Sequence, residues 1–130
     1  MNQKIIVLGL CLITSSTHAA CDGGQIITGL ENQLSFCYSD RVMNWWSAFS
    51  WCRANGGHLA TFAEACPNQV LKDWIDCTNL KGINVPGSGW TSTPYGNNRA
   101  YVVYPSHGGT RCANRKEGYN YDGHALCVPD

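Results

Sequence analysis

The sequence has no excess of charge of either sign. Lys plus Arg and Asp plus Glu each count nine in 130 residues. Neither a basic stripe nor an acidic tail is present, so nucleic acid is not an expected partner. Long apolar runs are also scarce. The one from Ile5 to Ile13, interrupted by Gly9, is too short to span a bilayer, and no second run follows it. No transmembrane segment is therefore expected. The cysteines never stand as C-x-x-C, which argues against a zinc site. There is no G-x-S-x-G and no H-E-x-x-H, so neither a serine hydrolase nor a helical metal hydrolase can be assembled. Repeats and low-complexity tracts are absent too.

What is present first is a leader. Lys4 precedes the apolar run, and Thr14 to Ala20 is small and polar, with Thr17-His18-Ala19 placed as a cleavage site. Residues 1–20 read as a signal peptide. The expected location is secreted, periplasmic or cell surface. About 110 residues remain, enough for one domain with a modest core. Cys11 leaves with the leader and seven cysteines stay: Cys21, Cys37, Cys52, Cys66, Cys77, Cys112 and Cys127. In an exported chain these read as disulfides. Two arrangements stay open at the junction. Cys21 follows two alanines and could carry a lipid anchor, leaving six cysteines for three bridges. Otherwise Cys21 could pair with Cys37, and one of the rest stays free or pairs between chains.

Along the mature chain, residues 21–35 read as an N-terminal lead-in with an edge strand at Ile26-Ile27. Leu34, Phe36 and Tyr38 share one side of a second strand by the period of two. Asn44 is a good N-cap, and Trp45, Ala48, Phe49 and Cys52 then fall on one helical face. Gly56-Gly57 supplies the stop. Leu59-Ala60 reads as a short buried strand. Thr61-Phe62-Ala63-Glu64 is a capping-box pattern, which gives Glu64 a structural role. Pro67 breaks the first turn, and the spacing of Val70, Leu71, Trp74 and Ile75 predicts that the second helix resumes there. Residues 81–89 form a loop. Strands are expected at Trp90–Thr93, Ala100–Tyr104, Thr110–Ala113 and His124–Val128, separated by turns. Two helices followed by hairpins predict an α+β domain, with both helices packed on an antiparallel sheet.

The stretches Phe36-Cys37-Tyr38, Asn44 to Cys52 and Asn55-Gly56-Gly57-His58-Leu59-Ala60-Thr61 resemble the opening of a C-type lectin-like domain. Glu64 matches an acidic residue at the family's second helix, and Ala125-Leu126-Cys127-Val128 is similar to its last strand. The resemblance implies that residues 36–130 form such a domain, with a bridge from Cys52 to Cys127. A bridge closing so long a loop would stabilise by roughly 4–5 kcal/mol in the chain-entropy model.

The departures matter equally. Sugar-binding members carry Glu-Pro-Asn or Gln-Pro-Asp in the long loop and Trp-Asn-Asp in a later strand. Here the corresponding stretches are Asn84-Val85-Pro86-Gly87, Trp90-Thr91-Ser92 and Asn120-Tyr121-Asp122. Glu117 and Asp122 are the only carboxylates in the later region, whereas calcium takes six to eight oxygens, usually several from carboxylates. No calcium, other metal, cofactor or catalytic residue is expected. His58 reads as packed in its strand, His107 as solvated in a Gly-rich turn, and Asp73 and Asp76 as solvated. The expected function is binding a glycan or protein through Trp90, Tyr95, Asn97, Asn98 and Arg99, which offer stacking surface and adaptable hydrogen bonds; equally open is that Trp90 is a core residue and the rest form only a turn. The alternative is a structural or accessory envelope component docking through Cys21 or a partner protein.

Overall fold

The runs Ala100–Val103 and Ala125–Val128 show no polar alternation, the pattern of strands covered on both faces. The computed structural model, which describes residues 21–72, 74–115 and 122–130, contains such a sheet. Residues 1–20, read above as a signal peptide, lie outside the described residues, as do Asp73, Glu117 and Asn120. The elements in chain order are β1 (Gly24–Thr28), β2 (Ser35–Met43), α1 (Trp45–Ala54), β3 (Gly57–Leu59), α2 (Phe62–Ala65), β4 (Gly89–Tyr95), β5 (Arg99–Val103), β6 (Thr110–Asn114) and β7 (Gly123–Pro129). This is an α+β arrangement of seven strands and two helices among the described residues.

The strands run in the order β1-β2-β7-β4-β5-β6, and β3 pairs with the far end of β7. β7 lies antiparallel to β2 and β3 but parallel to β4, with Gly89 opposite His124 and Trp90 opposite Ala125. The sheet is therefore mixed, not wholly antiparallel as the sequence led us to expect. Two hairpins, β4–β5 and β5–β6, return the chain to the direction of β4, and β7 enters on the other side of β4 in that same direction.

The period of two sorts the core into two layers. Phe36, Tyr38, Tyr101, Val103, Leu126 and Val128 join one cluster, together with Phe62 of α2 and with Leu80 and Val85 from the segment between α2 and β4. Cys37, Ala100, Val102, Ala125 and Cys127 join the other, together with Trp45, Ala48 and Cys52 of α1. Neighbouring residues of β5 and β7 thus serve opposite layers, so neither face of these two strands is left for water.

Asn44 caps α1 by accepting the Ser47 N–H at 2.8 Å. Trp45, Ala48 and Cys52 are buried as the helical period predicts. Phe49 is not: it is 40% exposed and packs on the rim of Trp45 at 5.3 Å between ring centroids. The helix gives way at Gly56, whose φ of +81° is the left-handed conformation that glycine adopts without a Cβ penalty.

α2 begins as a capping box: Glu64 N–H donates to Thr61 Oγ1 at 3.1 Å, and Thr61 N–H donates to Glu64 Oε1 at 2.9 Å. It ends at Ala65 and does not resume, which corrects the expected helix through Val70, Leu71, Trp74 and Ile75. The reason is the bridge between Cys66 and Cys77, whose Cα atoms lie 5.2 Å apart. A helix from 66 to 77 would hold them about 16 Å apart at its usual rise per residue. Val70, Leu71 and Trp74 consequently face outward, and Ile75 alone packs against the core.

The other bridges join Cys21 to Cys37 and Cys52 to Cys127. Of the two arrangements open at Cys21, the structure adopts the disulfide, which occupies the sulfur that a lipid anchor would need. The lead-in segment becomes edge strand β1, paired with β2 and burying Ile27. Cys112, on edge strand β6, stays outside the three bridges.

Candidate functional site

The β4–β5 turn gathers most of the expected binding residues. Gly96, with φ of +68°, reverses the chain, and Tyr95, Asn97, Asn98 and Arg99 are all exposed around it. With Asn114 they line a shallow cleft of about 390 Å³. Tyr95 is anchored on its inner side by Tyr101, at 5.4 Å between ring centroids. Its outer side faces water.

A residue not singled out from the sequence holds this turn. Arg115 N–H donates to the Asn98 carbonyl at 2.7 Å. Its guanidinium donates to the carbonyls of Asn97 at 3.2 Å and Arg99 at 3.3 Å. The same guanidinium lies 5.1 Å from the Trp45 ring centroid and 5.9 Å from that of Trp46. Arg115 therefore ties the turn to α1. Nothing local in the sequence marks it, because its partners are some seventy and sixteen residues away.

Trp90 does not belong to this group. It is 0% exposed, sits in the α1-side core, and its Nε1–H donates to the Met43 carbonyl at 2.9 Å. A Trp that ends a polar loop presents the same local sequence whether it points out or in, and here its pairing opposite Ala125 of β7 puts it in the α1-side core. It is removed from the candidate binding set.

The histidines have different fates. His124 is buried, stacked on Tyr38 at 4.6 Å, with Nδ1 hydrogen-bonded to the Ser39 carbonyl at 2.7 Å. His58 is half-buried between two carboxylates. Its Nδ1 lies 2.8 Å from Asp130 Oδ1 and its Nε2 3.0 Å from Glu64 Oε2. The Asp130 hydrogen bond raises its pKa above the ordinary value of 6.5, against a lowering by burial, and Glu64 adds to the rise. The sign follows from linkage. A raised folded-state pKa stabilises fully below the unfolded value, near 6.5, and the contribution is lost as pH rises through the folded value. Wild type is thus expected to lose stability from about pH 6.5 upward by more than His58→Gln does. Urea melts of both proteins at stepped pH check this, and parallel curves would refute it.

Asn84 and Asp122 are exposed, and no group of three or more His, Cys, Asp or Glu is placed to hold a metal among the described residues. No helix among them is long and apolar enough to cross a membrane. Comparisons with protein-family models, curated proteins and solved structures give no match for this chain.

Proposed function

We propose that the chain is an exported ligand-binding or adhesion module with a C-type lectin-like domain, acting without calcium through the β4–β5 turn. The observation that carries this reading is the grouping of Tyr95, Asn97, Asn98 and Arg99 on a turn braced by Arg115. An aromatic face, two amides and a guanidinium on a rigid support are what recognition of a glycan or protein uses. The lectin-like part rests on the motifs from Phe36 to Thr61 and on the clamp between α1 and the closing strand. The preference for binding over catalysis rests on how the titratable side chains are used. Glu64 caps a helix, His58 is held between carboxylates, and His124 is in the core.

The test is a glycan array and a panel of cell-surface proteins probed with the mature protein. For the probe that gives a signal, Tyr95→Ala and Arg99→Ala are each expected to weaken binding about tenfold or more, as for interface hot spots. Their melting temperatures should stay close to wild type. Turn variants that bind normally would place the site elsewhere. Silence across both panels would favour a structural envelope component. Melting in excess calcium and in chelator should coincide, because a ligand of the native state raises the melting temperature. A rise with calcium would revive calcium-dependent sugar binding, with Asn84, Asn120 and Asp122 as ligands.

A further inference from the structure

At the opposite end of β5 from the β4–β5 turn lies a second cleft, about 15 Å away at the usual rise of a strand. It has a volume of about 440 Å³ and is lined by Trp74, Ile75, Tyr104, His107, Gly109, Thr110 and Arg111. That volume falls within the roughly 300–1,000 Å³ typical of small-ligand sites.

Trp74 is the unusual member. It is 69% exposed, although Trp is among the most buried residue types on average. Its φ of +63° lies in the left-handed region, which a bulky side chain rarely adopts. The backbone is fixed there from both sides. Trp74 N–H donates to the Thr110 carbonyl at 2.8 Å, Ile75 N–H donates to Thr110 Oγ1 at 3.1 Å, and that hydroxyl donates to the Lys72 carbonyl at 3.2 Å. Thr110 itself is fully buried. An indole held outward by a strained backbone and a buried anchor is a feature of ligand clamps.

The rest of the cleft supplies flat rings and donors. Tyr104 and His107 stack at 5.1 Å with planes 16° apart. Gly109 N–H donates to His107 Nδ1 at 3.1 Å, so in the neutral ring the proton sits on Nε2 and is available to a ligand. The Arg111 guanidinium lies 4.0 Å from the centre of the Trp74 ring. Among the described residues that line the cleft there is an arginine and no carboxylate. Aromatic faces suit the C–H face of a sugar ring, and the guanidinium fork suits a carboxylate.

We propose that this cleft is a second binding site, taking a pyranose that carries a carboxylate: the sugar ring replaces the Arg111 guanidinium on the face of Trp74, and the displaced guanidinium pairs with the carboxylate. This site is independent of the β4–β5 turn and of what that turn binds. The probes are free glucuronic acid, glucose as the neutral ring, and acetate as the charge without the ring. The readout is the NMR shift of the Trp74 indole N–H on titrating the full mature protein. Glucuronic acid is expected to give a saturable shift and to bind about tenfold more tightly than glucose, the scale of one charge-assisted pair. Arg111→Gln should bring it to the glucose level with an unchanged melting temperature. Trp74→Phe, which keeps a ring, should retain part of the affinity that Trp74→Ala loses. Equal affinity for glucuronic acid and glucose, the same shifts with acetate alone, or no saturable shift would each overturn the proposal. So would glucuronic acid shifts confined to Tyr95 and Arg99.

Discussion

Replacing Cys52 and Cys127 together by Ala is expected to cost roughly 4–5 kcal/mol of stability in the chain-entropy model. For a domain of this size that lowers the melting temperature by on the order of 15–25 °C. The two cysteines are 75 residues apart, against 16 for Cys21 and Cys37 and 11 for Cys66 and Cys77. Loop-closure entropy grows only with the logarithm of length, so the excess over the shortest bridge is about 1.6 kcal/mol. Position adds to it. The bridge is fully within the α1-side core and ties a helix to the strand that pairs with β2, β3 and β4. Denaturant melts of the three double-Ala variants should rank this one lowest. Peptide mapping without reductant should find Cys52 linked to Cys127, with Cys112 as the thiol that reacts on unfolding. A variant as stable as wild type, or a Cys52 linked elsewhere, would contradict the fold.

Trp90→Ala should cost about 3–5 kcal/mol, the range for a buried Trp. Its side chain is fully enclosed, and its removal also takes the indole donor from the Met43 carbonyl. Trp45→Ala belongs to the same range, since Trp45 is buried on the facing helix and donates to the Thr91 carbonyl at 3.0 Å. Both variants should melt early whatever the ligand. Tyr95→Ala should not, and this contrast separates the core tryptophans from the turn. Urea unfolding followed by far-UV circular dichroism measures it. A Trp90→Ala protein with native stability would mean that the indole is not enclosed.

The parts of the fold that could be read from the sequence are those set by local chemistry. The cap at Asn44, the capping box at Thr61 and Glu64, and the glycine stop at Gly56 each involve residues within a turn of one another. The strand positions followed from apolar and β-branched runs. The segment from Cys66 to Ile75 could not be read this way, because a disulfide overrides a helical period that the side chains alone would support. Trp90 stayed open between the binding face and the core because its burial is decided by where β4 meets β7, not by its neighbours in sequence. The parallel pairing, the Arg115 brace and the two carboxylates around His58 are likewise long-range. The β4–β5 turn was legible as a group of residues because it is a single loop. The cleft at Trp74 was not, since it joins the 66–77 disulfide loop to the β5–β6 hairpin.

β7 is the last strand in chain order, yet it occupies the middle of the sheet. A ribosome therefore delivers the central strand after all of its partners. Until residues 123–129 are available, β2 and β4 have no strand between them, and each presents an open row of backbone donors and acceptors. Cys52 likewise waits for Cys127. Such a chain cannot complete its sheet vectorially. The pairings of β7 with β2, β3 and β4 wait until that strand has emerged, which slows folding and makes the interval before β7 docks the one most exposed to association with other chains.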